Sequence, residues 1–454
     1  MKRVTVMGEA SRLGKFGWAM FDWANQPFFT LVTTFIFAPY FVSFVVGDAV
    51  RGQAMWGYTQ AFAGVVIAVV APFLGSIADA GGRRKPWIGA FTALGVVGAC
   101  ALWYATPGAD SGRLAFTMAM IVVATIGVEF AIVFNNAMLP SLAGDRRMGL
   151  LSGFGWGLGY VGGLVALIIV LLGFSLPEVP LWGIDKAAHE HDRLVGPLSG
   201  LWFAVFVIPL FVWTPDTASR GLGTAAAVRQ GVGTLVETLR ALPRFRNIAL
   251  YLVARMIYYD GQSAIFAFGG IYAAGLFGWT TTALGLFGII LVVFAAVGAF
   301  VGGWLDDRLG SKRLIALSVV GLIGGTLGVV SMSDGVAFFV LDVGMPVAGS
   351  GLFASQAERI FLAITVVLAL SGGPAQAASR TLLARLAPAS MMGEFFGLYA
   401  LSGKATAFMA PLAVALLTSA FASQRAGISV ILVFLVVGLG LLMFVREERA
   451  PALH

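Results

Sequence analysis

Apolar residues along this chain run in long unbroken stretches, not in short alternating ones. About twelve stretches approach the roughly 20 apolar residues a helix needs to cross a hydrocarbon core: approximately 17–46, 53–79, 87–106, 114–139, 148–174, 198–214, 247–276, 281–305, 313–332, 357–386, 393–421 and 427–445. Short polar connections separate them and little chain is left over. Unsatisfied backbone groups are prohibitive in lipid and period-two alternation is absent, so the pattern predicts helices and not barrel strands. The first apolar run, about twenty residues from Phe28, exceeds a signal-peptide core, and VVGDAVRGQ after it offers no small-residue cleavage site. It is expected to stay in the mature protein.

Composition agrees. Of 454 residues 59% are hydrophobic and 11% charged, and mean hydropathy is +0.91, values no water-soluble core of this length requires. Basic residues alternate between loops. Lys2, Arg3, Arg12, Lys15, Arg83, Arg84, Lys85, Arg146, Arg147, Arg220 to Arg246, Lys312, Arg313, Arg385, Arg446 and Arg449 fall on one side, against Arg51, Arg113, Lys186, Arg193, Arg359 and Arg425 on the other. The positive-inside rule places both termini in the cytoplasm; in a bacterium the membrane is the inner one. The net charge of +7 reflects this asymmetry and anionic inner-leaflet lipid, not nucleic-acid binding. The sole cysteine, Cys100, lies in an apolar span, which excludes an internal disulfide and a thiolate metal site.

The chain repeats at half length. GSIADAGGRRK at 75–85 carries Gly75, Asp79, Gly82 and a basic triplet; GWLDDRLGSKR at 303–313 carries Gly303, Asp307, Gly310 and Lys312–Arg313, 228 residues later. MGLLSGFGWGLG at 148–159 aligns with MGEFFGLYALSG at 392–403 at an offset of 244. Duplicated halves are common in transporters. The domains expected are a six-helix bundle over 1–214, a cytoplasmic linker over 215–246 with an amphipathic helix near Val232–Leu242, and a second six-helix bundle over 247–454.

The twelve spans, the central basic loop and the G-x-x-x-D-x-x-G-R-R pattern resemble the major facilitator superfamily. FDWANQPF, GRRKPW, FNNAMLP, SGFGWGLGYVGG, YYDGQSAIFAFGGIYA and EFFGLYALSGK are similar to its vacuole-effluxer-like branch, typified by autophagy-related vacuolar amino-acid effluxers and their bacterial relatives. The resemblance implies an all-α integral membrane protein, two pseudo-symmetric six-helix bundles, alternating access, and a cavity lined by spans 1, 4, 7 and 10. It delivers no substrate.

Ionisable groups inside hydrocarbon are costly and therefore functional candidates. Asp22, Glu129, Arg255, Asp260, Arg380 and Lys404 qualify, and three acids against three bases also permit static ion pairs. Glu129, Asp260 and Lys404 are expected near the midplane; burial there disfavours the charged form, making the two acids candidates for proton exchange. Asp22 and Arg380 are shallower. Asn25 follows Asp22 by one turn, and Pro27 suggests a helix open to a ligand or water, unless Asp22 merely favours the helix start. Helix spacing aligns Thr125, Glu129 and Asn136 on span 4, Arg255, Tyr259 and Gln262 on span 7 beside Asp260, and Gln376 and Arg380 on span 10.

Gly75, Asp79, Gly82, Arg83, Arg84 and, in the second repeat, Gly303, Asp307, Gly310 and Lys312 read as a conformational lock: carboxylates beside bases that hold helix ends together and release them. Gly157, Gly159 and Gly162 form G-x-G-x-x-G without a preceding strand, so close helix packing is expected, not a dinucleotide site. His189 and His191, two apart in AHEHD, read as a solvated loop and not a metal site. The only other histidine, His454, also lies outside the spans, which leaves no partnered nucleophile and argues against an enzyme. The expectation is a proton-coupled secondary transporter of a small polar organic solute, with amino acids suggested by the resemblance. A permease for cell-wall fragments, drugs or sugars, and a non-transporting scaffold or receptor, stay open. The expected partners are the solute, protons and membrane lipid; the chain is read as a monomer without cofactor.

Overall fold

A computed structural model describes residues 10–47, 49–143, 147–175, 177–216, 245–277, 281–333, 335–344, 353–403, 406–407, 409–421 and 423–447. The spans are helical: α1 (Arg12–Pro27), α2 (Ala49–Gly81), α3 (Lys85–Ala101), α4 (Ser111–Leu142), α5 (Met148–Val170), α6 (Val195–Phe206), α7 (Arg246–Phe277), α8 (Thr281–Leu309), α9 (Ser311–Ser331), α10 (Gln356–Leu386), α11 (Met392–Ser402) and α12 (Gln424–Met443). Among the described residues, eight helices are long and apolar enough to cross a membrane. Leu201, Leu317, Val97, Val433 and Phe62 are more than half exposed, an apolar outer surface that only lipid tolerates. Trp18, Phe21, Phe134, Tyr251, Tyr258 and Phe395 are fully buried between helices.

Among the described residues, the first and eleventh spans depart most from the unbroken helices expected. After Pro27 the first span widens into π-helical turns over Phe28–Phe35. Proline removes the amide that would bond the carbonyl four residues back, and the freed Trp23 carbonyl accepts instead from the Trp202 indole at 3.2 Å. The opening expected at Pro27 is thus closed by α6. The eleventh span, expected over 393–421, stops at Ser402 and resumes at Met409–Phe421.

α5 packs on α8 and α2 on α11, the most extensive contacts between the two halves of the chain, and α10 and α4 also reach across. A side chain at Gly153 would strike the backbone of Gly303, and one at Gly157 the Phe300 ring 2.5 Å away. The glycine run is a packing surface, as its spacing predicts: Gly153 and Gly157 face α8 of the other half, and Gly159 and Gly162 face Asp22 and Trp23 on α1.

The repeat reappears in how the helix ends are tied at the face that carries Arg84, Arg385 and the start of α1, called the basic face below. Gly82 and Gly310 share φ of 85° and 84°, a conformation open to glycine. The Asp216 carboxylate accepts from the amides of Arg84 at 2.9 Å and Lys85 at 3.2 Å. Glu447 accepts from those of Ser311 at 2.9 Å and Lys312 at 3.3 Å. Each acid caps the start of a span with its otherwise unbonded amides. In return Lys85 Nζ donates to the Phe211 carbonyl at 3.0 Å, and Lys312 Nζ to that of Met443 at 2.8 Å.

Candidate functional site

Four helices converge on Arg380. It projects from α10 into the first half of the chain, where its Nη1 lies 3.0 Å from Asp22 Oδ2 on α1 and 3.1 Å from Asn136 Oδ1 on α4. Nε and Nη2 donate to the hydroxyl and carbonyl of Ser152 on α5, at 3.0 and 2.7 Å. The Trp18 and Trp156 rings stand 4.9 and 5.7 Å from the guanidinium carbon, near enough for cation–π attraction. Only 3% of the arginine side chain and 13% of the aspartate are exposed. Gly155 makes the room: a side chain there would sit 2.5 Å from Asp22 Oδ2 and 3.2 Å from Arg380 Nη2.

This junction belongs to a column of polar contacts between the halves. One turn along α10, Gln376 Oε1 accepts from the Tyr160 hydroxyl at 2.6 Å, and the Ser152 hydroxyl donates to the Ala377 carbonyl at 2.9 Å. At the basic face Asp307 accepts from the amides of Gly149 at 2.8 Å and Leu150 at 2.7 Å, so α8 caps α5 across the interface. Arg385 reaches Asp306 and Asp307 at 3.1 Å each and Glu447 at 3.2 Å.

A second cluster surrounds Arg255 on α7. Its Nη1 donates to the Tyr399 carbonyl at 2.8 Å and the Ser402 hydroxyl at 2.7 Å, at the C-terminal end of α11, where carbonyls are free and cations favoured. The Tyr399 and Tyr259 rings lie 3.4 and 4.8 Å from its guanidinium carbon. Asp260 is 2% exposed and its Oδ1 has no hydrogen-bond partner among the described residues.

The sequence-derived residues thus divide. Asp22, Asn136 and Arg380 meet as their helical stripes predict, Gln376 one turn along α10 meets Tyr160, and Arg255 meets Tyr259. Glu129 is half-buried on α4. Asn25 turns away: its amide donates to the Phe21 carbonyl of its own helix at 2.8 Å. Gln262 does not share the Arg255 contact; it donates to the Gly372 carbonyl on α10 at 3.0 Å. Arg83 is exposed and Arg84 buried. Gly75 and Asp79 lie on α2, with nothing described of their surroundings, and Lys404 and residues 217–244 of the linker, with its expected amphipathic helix, lie outside the described residues.

Ser152, Tyr160, Asp306, Arg385, Tyr399 and Glu447 were not among the sequence candidates. In sequence Arg385 is one more basic anchor, and Asp306, buried to 1%, stands beside the repeated Asp307 with nothing to single it out. The two loop histidines share Asp192, with His189 Nδ1 3.0 Å and His191 Nε2 3.4 Å from its Oδ2; the sequence reading left out this third group.

Helical spans with an apolar exterior, and a buried polar column between two sequence-related halves, define a polytopic membrane transporter of the major facilitator fold. The sequence model described as vacuole effluxer Atg22-like matches residues 40–452, and the chain belongs to that family. It is similar to the uncharacterized MFS-type transporter YxiO of Bacillus subtilis, 26% identical over 95% of each chain. Autophagy-related protein 22-1 of Aspergillus fumigatus is 24% identical over 66% of this chain and 48% of its own; the match spans about half of that fungal protein. Among solved structures, the proton:xylose symporter XylE superposes with a TM-score of 0.68 at 14% identity, covering 96% of each chain. A bacterial homologue of the iron transporter ferroportin in an outward-facing state gives 0.64 at 16% identity, covering 95% of this chain and 98% of its own. The structures establish the fold; family and neighbours are transporters, not enzymes.

Proposed function

We propose that the protein is a secondary active transporter that moves a small polar organic solute, an amino acid or a related compound, by alternating access of two bundles over residues 1–214 and 247–454, joined by a cytoplasmic linker. Both termini face the cytoplasm, and protons supply the drive. The observation that carries this reading is the Asp22–Arg380 pair. A buried ion pair between two packed bodies gains little stability, because desolvation consumes most of the Coulombic attraction. A contact that must form and break as the bodies rock needs polar, exchangeable partners, and the Arg380 junction supplies them.

Arg380 and Arg255 are the cations available to a solute carboxylate, with Tyr259, Gln376 and Asn136 beside them; Asp260 and Glu129 are the acids assigned to the proton. Lys404 belongs to the same pathway. Asp307 on the amides of α5, with Arg385, is one half of the lock, and Asp79 its repeat counterpart. The amino-acid class rests on the resemblance of the sequence motifs to vacuolar amino-acid effluxers, the direction on the family's description as effluxers, and the proton on the symporter neighbour.

The test is flux. Proteoliposomes holding the purified protein, given a panel of radiolabelled amino acids, sugars and cell-wall fragments with and without an imposed pH gradient, should take up or release an amino acid faster than protein-free vesicles. The gradient should steepen that flux in wild type and not in Asp260→Asn. Flux of another solute class alone would replace the substrate assignment, and indifference to the gradient would remove the proton.

A further inference from the structure

The connection between α5 and α6 holds two of the chain's three histidines, and the fold turns them onto one carboxylate oxygen. A short helix over Glu190–Arg193 follows His189, whose backbone takes φ 54°, a left-handed conformation few non-glycine residues adopt. That reversal brings residues 189, 191 and 192 to one side of a single turn. The two imidazole nitrogens stand 3.0 and 3.4 Å from Asp192 Oδ2, and one ligand atom from each of the three residues lies within 4.8 Å of the others.

The 3.4 Å separation is that of two ligands on one metal ion, and the 3.0 Å separation would have to widen by a few tenths of an ångström to admit it. Nitrogen and oxygen donors each about 2.0–2.2 Å from a tetrahedral zinc ion stand roughly 3.3–3.5 Å apart. The rings are held in place. His189 packs 3.9 Å from Phe44 and 5.6 Å from Tyr40, centroid to centroid, and 5.9 Å from the nearly parallel His191 ring. Side-chain exposure is 23% for His189, 16% for His191 and 18% for Asp192, so the group is sheltered yet reachable from water. A hydrogen-bonded trio would spend two N–H donors on one oxygen, whereas an ion takes one donor atom from each of the three groups; His191 Nδ1 has no partner among the described residues in either case.

We propose that His189, His191 and Asp192 bind a late first-row divalent transition ion, zinc foremost, with water completing the coordination. Two imidazoles and one carboxylate suit zinc, cobalt or nickel, and are poor ligands for calcium or magnesium, which take oxygen donors. Through the packing of His189 on Tyr40 and Phe44, the ion would pin the α5–α6 connection against the far end of the first span.

The full-length protein, purified in detergent with any affinity tag removed, is titrated with zinc chloride alone, and in parallel with cobalt and calcium chlorides. Wild type should bind one zinc ion per chain saturably, gain thermal stability from zinc but not calcium, and give visible cobalt absorption bands of nitrogen and oxygen ligation. His191→Ala and Asp192→Asn should each weaken zinc at least about ten-fold and lose the cobalt bands, while His454→Ala should change neither. Asp192→Asn keeps an oxygen that can accept from the histidines, so an unaltered elution profile and unchanged stability without metal would separate lost ligation from a misfolded loop. Absent saturable zinc binding in wild type, or equal affinity in all four proteins, would overturn the proposal.

Discussion

Arg380 and Asp22, 358 residues apart in sequence, hold their charged atoms at 3.0 Å. The pair ties the two halves of the chain together inside the protein. Removing one partner of a buried pair leaves the other charge uncompensated, at a cost of about 3–5 kcal/mol. Asp22→Asn and Arg380→Met should each lower the thermal midpoint, and the double variant should recover part of the loss. A double-mutant cycle in which the effects simply add would show that the pair is not energetically coupled.

Gly155 faces that pair with no room for a methyl group. Gly155→Ala should push Asp22 from Arg380 and destabilise by about 1–3 kcal/mol, the usual cost of overpacking. Gly324, with nothing within 4 Å of an added Cβ, is the control; there alanine should be neutral or stabilising by up to about 1 kcal/mol. Equal effects at both positions, measured by thermal unfolding in detergent, would mean that the crowding at Gly155 carries no weight.

Pro27 and Trp202 make a linked pair of another kind. The indole bond to the Trp23 carbonyl substitutes for the amide that Pro27 lacks, so Trp202→Phe should cost about 1 kcal/mol. In a Pro27→Ala background, where the helix can supply its own donor, the same change should cost less. An undiminished cost would indicate that Trp202 contributes through packing alone.

Asp216 and Glu447 cap equivalent span starts, and the repeat makes them comparable. Asp216→Ala and Glu447→Ala should each cost about 1 kcal/mol as lost helix caps, read by thermal unfolding in detergent. No loss at either position would contradict the capping role.

What could be read from sequence was local. Long apolar runs give spans, and the glycines at 82 and 310, matched by the 228-residue offset, take the same backbone conformation. The i, i+4 spacing of Gln376 and Arg380 put both on the face that meets the first half. Contacts between distant segments left no such trace. Nothing near Arg385 announces that Asp306, Asp307 and Glu447 will gather around it, because the first two lie on α8 and the third beyond the end of α12, 62 to 79 residues away. Asn25 misled because its spacing from Asp22 is right but its amide is satisfied within its own helix, and Pro27 because the donor that replaces the missing amide comes from α6. The ending of α11 at Ser402 has no proline to mark it.

Alternating access requires the two halves to part where they now meet, and spin-label distances across the basic face test this most directly. Cys100→Ser removes the sole native cysteine, and Ser141→Cys with Arg313→Cys places one exposed label near the end of α4 and another near the start of α9. In lipid nanodiscs the parent protein should show a short distance as its main population. Asp307→Ala, which strips the cap from the Gly149 and Leu150 amides, and Asp22→Asn should each move population to longer distances. The same distribution in parent and both variants, all correctly folded, would contradict the claim that these contacts hold the halves in one of two exchanging states.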